Sequence, residues 1–295
     1  MCKFTKLFVL MLTGLVLSVH VLVAGDSSIK WEEVVAKHLT SIGSTSALTS
    51  SKSRVVQGRV HFTLEPSGTS TQDGKLTLAS EGDKLHFYIG LPNPSYKGER
   101  FIFDGSKIYV SEIKPGSRSA LGAFIQVQDR ILREGLWGGA LSSDWALLRA
   151  DQRKAKISYA GLKKVEGRQL HQLRYVPAKG SDLTIALYFD PETFHHVLTT
   201  YTLTISPHIS TTDVESAGAK ETNYRLEERF SDFKEFDSMT LPTQWEIRFT
   251  EDIPVSPEHP GAAGVYGRSS TMVWSSTADA ISNNVTLDPR NFQVK

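Results

Sequence analysis

The sequence predicts a mainly β protein of the α+β class: an antiparallel β-meander curling into a large sheet or open barrel, with helices laid across it. Three observations lead there. Apolar residues recur at every second position in several runs, short turn sequences separate those runs, and from Ser117 to about Arg149 the apolar spacing turns helical. Hairpin following hairpin means antiparallel pairing of sequence neighbours rather than a parallel α/β fold. A sheet with one apolar face must be covered, so helices across it either seal a core or gate a cavity.

Lys3 and Lys6 precede an apolar run from Leu7 to Val23, and the small residues Ala24-Gly25 follow, which predicts an export signal peptide over residues 1–25, cleaved after Ala24 or Gly25. Thr13, Gly14, Ser18 and His20 interrupt a rather long core, so an uncleaved membrane anchor is the alternative. The only cysteine, Cys2, lies ahead of the apolar core, whereas bacterial lipoproteins carry their acylated cysteine after it, so no lipid anchor is expected. The mature chain lacks cysteine, which excludes disulfides, thiolate metal sites and cysteine nucleophiles. No linker-like composition divides residues 26–295, which read as one domain. Lys and Arg number 33 against 32 Asp and Glu, and Lys163-Lys164 and Arg153-Lys154 are too short to be basic patches. Nothing marks the chain for nucleic acid.

Trp31, Val34, Val35, Leu39 and Ile42 make the stripe of a surface helix, with Asp26, Ser27 or Ser28 available as N-cap, Glu32-Glu33 in the early turns and Gly43 as the stop. From Val55 the period is two, with Val56, Gly58, Val60, Phe62 and Leu64 on one face. The same alternation returns in Leu85, Phe87, Ile89 and Leu91, in Leu183, Ile185, Leu187 and Phe189, and in Trp245, Ile247 and Phe249. Asp73-Gly74, Gly82-Asp83, Asp104-Gly105, Glu166-Gly167 and Asp190-Pro191-Glu192-Thr193 are the expected turns. In the flap, Leu121, Phe124, Ile125, Ile131 and Leu132 predict one helix ending at Gly135. Trp145, Leu147 and Leu148 predict a second, capped by Ser142 or Ser143. Leu136-Trp137-Gly138-Gly139 between them reads as a tight loop with a buried tryptophan, or as a hinge. Ser206 to Lys220 and Asp252 to Ser270 read as surface loops of unusual length.

Catalytic signatures are missing: there is no G-x-S-x-G, H-E-x-x-H, P-loop or G-x-G-x-x-G after a strand. Ser27-x-x-Lys30 stands without its companion motifs. His195 and His196 point to opposite faces of a strand and cannot chelate one ion, so they read as partly exposed strand histidines. Asn284-Val285-Thr286 fits a glycosylation sequon that arises readily by chance.

A signal peptide, a short helix, antiparallel strands and a helical insertion are followed by Phe230-Ser231-Asp232-Phe233-Lys234 and Thr240-Leu241-Pro242. With Phe189-Asp190-Pro191-Glu192-Thr193 and Asn291-Phe292, the chain resembles the LolA/LolB-like superfamily of periplasmic lipoprotein carriers over most of its mature length. The resemblance implies an unclosed β half-barrel with helices as a lid, in the periplasm, whose apolar interior takes lipoprotein acyl chains or other lipids. It also implies an inner-membrane donor, an outer-membrane acceptor and no enzyme activity, cofactor or metal. The chain is longer than a typical carrier, and no arginine is matched to the one that holds the lid in such carriers. The candidate lining is Phe62, Phe87, Ile89, Phe101, Phe103, Leu187 and Phe189, with Phe124, Ile125 and Trp137 from the lid. The same residues would equally make a filled core. Rival readings are a periplasmic sensor of the same fold that regulates an envelope-stress partner, and a secreted hydrolase.

Overall fold

A computed structural model describes residues 29–65, 71–206, 222–253 and 268–294. The expected signal peptide lies outside them. Helix α1, Trp31–Ile42, forms where its apolar stripe predicts and buries Val34, Val35 and Ile42, together with His38. Its N-cap is Lys30, whose side chain makes no capping bond, rather than a residue of 26–28. Gly43 stops the helix differently from a left-handed cap: at φ 167 it is extended and bridges to Met239. A Cβ there would stand 3.0 Å from the Ser238 carbonyl oxygen, so the glycine permits a close approach. Helix α2, Thr45–Ser50, follows, with the Ser44 hydroxyl accepting from the Ala47 N–H.

Among the described residues alternation produces twelve strands: β1 Ser53–Glu65, β2 Thr71–Glu81, β3 Lys84–Gly90, β4 Gly98–Phe103, β5 Ile108–Val110, β6 Lys156–Val165, β7 Arg168–Val176, β8 Thr184–Phe189, β9 His196–Ile205, β10 Thr222–Phe236, β11 Met239–Ile253 and β12 Arg268–Asn283. They form one sheet in the order β5-β4-β3-β2-β1-β12-β11-β10-β9-β8-β7-β6. Neighbours pair antiparallel throughout. Every pairing joins sequence neighbours except β1 with β12, which places the first and last of the described strands side by side in the middle. The sheet does not close, because β5 and β6 are its two edges.

Four expected turns are hairpin turns, at 82–83, 104–105, 166–167 and 190–193, but Asp73-Gly74 is not. It lies inside β2, where Asp73 pairs with His61 across the strand at 2.8 Å and a Cβ on Gly74 would stand 2.3 Å from the Gly90 carbonyl oxygen. The second expected long loop is shorter than predicted, since β11 runs to Ile253 and β12 begins at Arg268. Residues 207–221 and 254–267 lie outside the described ones.

The sheet curls strongly. The rings of Phe87 on β3 and Trp245 on β11 are 5.5 Å apart, whereas four strand spacings on a flat sheet would separate their backbones by roughly 19 Å. Across this face run residues 111–155, which connect one edge strand, β5, to the other, β6. This flap departs from the two helices expected. The first breaks at Gln128-Asp129 into α3, Ala120–Val127, capped by the Ser119 hydroxyl, and α4, Arg130–Arg133. The second is a 3₁₀ turn, Ala146–Arg149, whose N-cap is Trp145 and not Ser142 or Ser143, followed by α5, Ala150–Arg153. The reason is burial: every residue from 134 to 147 is buried, so this stretch is a plug rather than an amphipathic surface helix. Trp137 is wholly buried in a tight loop there.

Candidate functional site

The candidate site is the covered face of the sheet together with the plug that fills it. An irregular buried segment satisfies only part of its own backbone, and the remaining groups need partners from outside it. Within the plug the Gly139 N–H bonds the Leu136 carbonyl at 3.2 Å and the Ala146 N–H the Gly135 carbonyl at 2.9 Å, and buried polar side chains of the sheet and of α1 hold further groups. Glu228 on β10 accepts the Gly138 N–H at 2.7 Å and the Tyr201 hydroxyl at 2.9 Å. Ser80 on β2 accepts the Ser143 N–H at 2.9 Å, and the two hydroxyls lie 3.0 Å apart. Arg54 on β1 donates to the Ala140 carbonyl and also, through Nε, to Asn283 at 2.7 Å. His38 on α1 donates from Nδ1 to the Phe194 carbonyl and accepts the Trp145 indole N–H at Nε2, both at 3.0 Å, and these partners fix its tautomer. Tyr175 on β7 donates to Glu134 at 2.8 Å, and Arg153 reaches Asp144 at 2.6 Å.

Burial sets the charge state of these groups. It pushes the Glu228 carboxyl up to about 8, outweighing the hydrogen-bond donors that favour its anion. Glu99 on β4, which accepts the Tyr96 hydroxyl at 2.6 Å, is pushed up to about 7 for the same reason. Burial lowers His38 to about 3 against the pull of the Phe194 carbonyl, and lowers His196 well below the usual range. Arg54 falls to about 10, again through burial. Burial thus favours the neutral forms of Glu228, His38 and His196, while Arg54 and the paired Asp144 and Arg153 are the charged groups held under the flap.

All ten residues nominated from the sequence are buried in one continuous cluster. Phe87, Phe101 and Trp137 form its centre, with ring centroids 5.1 to 5.4 Å apart. Phe62 packs on Trp274 at 5.4 Å, and Phe124 of the lid packs on Phe249 at 5.2 Å. Phe189 sits at the far end beside His38, at 5.0 Å. Ile89, Leu187, Ile125 and Phe103 complete the packing, with the Arg133 guanidinium 5.5 Å over the Phe103 ring. In this conformation the plug fills the space these side chains bound.

His196 corrects an expectation, for it is buried, with its ring stacked on Trp145 at 4.8 Å, while its neighbour His195 stacks on Phe233 at 4.1 Å. Reading for apolar residues missed Arg54, Ser80, Glu228, Glu99 and His38. The signal was parity: Arg54 shares the face of Val56 and Val60, and Glu228 that of Leu226 and Phe230. Arg54 is also an arginine that holds the flap, which no sequence motif marks.

No family model and no curated protein sequence matches this chain. Solved structures do. A LolA superfamily protein from Nitrosomonas europaea is 10% identical over 90% of this chain and 99% of that one, with a TM-score of 0.44. An outer membrane lipoprotein-sorting protein domain from Vibrio parahaemolyticus is 9% identical over 88% of this chain and 94% of its own, with a TM-score of 0.37. The MucA/MucB complex from Pseudomonas aeruginosa gives 8% identity over 86% of this chain and 100% of that chain, at a TM-score of 0.22. At these identities the likeness is one of backbone course alone.

Proposed function

We infer that the protein is a non-enzymatic carrier or binding protein of the periplasm for lipoprotein acyl chains or other lipids, passing between an inner-membrane donor and an outer-membrane acceptor. The observation that carries this reading is how the plug is fastened. An acyl chain needs a contiguous apolar surface that is hidden when empty, and its transfer needs no catalytic group. The curled sheet offers such a surface, with Phe62, Phe87, Ile89, Phe101, Phe103, Leu187 and Phe189 as its proposed lining and Phe124, Ile125 and Trp137 as the lid. Separate polar contacts from Arg54, Glu228, Ser80 and His38 hold the plug, and exchanging them would uncover the face. Trp137 adds to the argument, because its buried indole N–H has no acceptor among the described residues. An orphaned donor of this kind costs about 1–3 kcal/mol, which weakens the closed state.

A reversible lock tests the reading. Ser80→Cys with Ser143→Cys places two thiols where hydroxyls stand 3.0 Å apart, in a mature region that has no other cysteine. The native protein and the reduced double variant are expected to bind a fluorescent fatty acid, and the oxidised variant to lose that binding until a reductant restores it. Equal binding in both redox states would show that the ligand does not need the lid to move. No binding in the native protein, with no lipid in its organic extract by mass spectrometry, would reject the carrier reading.

A further inference from the structure

Arg54 is 3% exposed, and among the described residues no carboxylate pairs with it. Its donors go to Ala140, Asn283 Oδ1, the Ser51 hydroxyl and Met239 sulfur, all neutral. Buried charges are ordinarily paired, because an isolated one loses its hydration without return. Such a cation points to an anion from outside the described contacts.

The way in is visible. A cleft of about 970 Å³ opens between the α1–α2 corner and the end of the flap, lined by Leu39, Leu48 and Leu148 among others. Its floor, at Leu48, Ser51, Ser143 and Leu148, also borders a narrow void that touches Arg54 and Ala140. The charged residues on the cleft wall are Lys52, Arg149 and Glu81. Glu81 faces Lys84 at 3.8 Å and Arg149 faces Asp144 at 3.3 Å, while Lys52 makes no ion pair among the described residues. The uncompensated charge of the entrance is thus positive. One wall is easily moved, since α2 has six residues and none is buried, and so short a helix is marginal without tertiary packing. The volume is at the upper end of small-ligand sites, roughly 300–1,000 Å³.

We propose that this cleft admits a single-chain amphiphile with an anionic headgroup, whose carboxylate passes Lys52 to reach Arg54 while the first carbons of its tail lie against Leu39, Leu48 and Leu148. The headgroup takes the Arg54 donor that now serves the Ala140 carbonyl, so entry releases one hold on the plug. This inference rests on the carrier reading, to which it adds the entrance and the chemistry of the head.

Titration of the full mature chain with palmitate, with palmitamide as its neutral counterpart, and with inorganic phosphate tests it. Palmitate is expected to bind about tenfold tighter than the amide, the worth of a charge-assisted hydrogen bond. Arg54→Gln, checked for folding by circular dichroism, brings the two within about twofold. Lys52→Glu, at the exposed entrance, weakens palmitate and spares the amide, and Leu48→Glu weakens both. Equal affinity for acid and amide in the native protein, with Leu48→Glu silent, would overturn the cleft while leaving the carrier reading standing. Displacement of palmitate by phosphate with Leu48→Glu silent would make this a free-anion site and overturn the amphiphile. A concentration-dependent dimer broken by Leu48→Glu would instead assign the cleft to a second copy. Failure of the native protein to bind either lipid would remove both readings.

Discussion

Glu228 stands between Leu226 and Phe230 on the inward face of β10, where an apolar residue would be the ordinary choice. Its carboxyl is the partner that the Gly138 N–H requires, and holding it there favours its proton. A carboxyl raised from 4.5 to about 8 binds a proton in the folded state that the unfolded chain has released. Its contribution to stability is therefore complete below pH 4.5 and is lost as pH rises through about 8. His38 acts on the other side: lowered from 6.5 to about 3, it contributes above 6.5 and loses that contribution as pH falls through about 3. Between pH 6.5 and 8 the fall in stability belongs to the raised carboxyls, and Glu228 accounts for about 2 kcal/mol of it at 1.4 kcal/mol per pH unit. Glu228→Gln keeps an acceptor for Gly138 and has no proton to lose. Its thermal midpoint is expected to stay nearly flat over that window while the native midpoint falls, and parallel curves for the two proteins would refute the assignment.

At the scale of the element, strands and plug differ in how legible they are. A strand with one buried face leaves a period of two, so β1, β3, β8 and β11 were readable, and the turns at Glu166-Gly167 and Asp190 follow from left-handed backbone and from Asp190 bonding the Thr193 N–H at 3.0 Å. A segment buried on every side leaves no period, which is why the helical spacing after Ile125 foretold two regular helices where one is broken and the other is a tight turn. The paired motifs have an equally local cause. Asp232 takes φ 52, and Thr243, next to Pro242, donates its hydroxyl to the Asp232 carbonyl at 2.7 Å, so "Phe-Ser-Asp-Phe" and "Leu-Pro" face one another as a kinked hairpin. Parity reveals Arg54 and Glu228 only once polarity on an inward position is read as information rather than noise. The plug depends on its glycines. Gly138 has φ 77, and a Cβ would meet Leu78 at 3.0 Å. Gly138→Ala is expected to cost about 1–2 kcal/mol in urea unfolding, whereas an unchanged midpoint would mean the loop has another conformation available.

For the molecule as a whole, the pairing of β1 with β12 governs how the structure is reached. Strands β1–β5 and β6–β11 are two meanders, each built from local hairpins, and the sheet joins them only through β12. Contacts such as Arg54 with Asn283 span 229 residues. Contacts so distant in sequence close late and slowly, and until they close β1 and β11 present bare edges. Deleting residues 268–295 is expected to abolish the cooperative thermal transition and yield aggregating protein, and a soluble product that melts cooperatively would refute the seam. β12, the last of the described strands, is thus the keystone of the sheet, and a ribosome that still holds it keeps the arch unclosed.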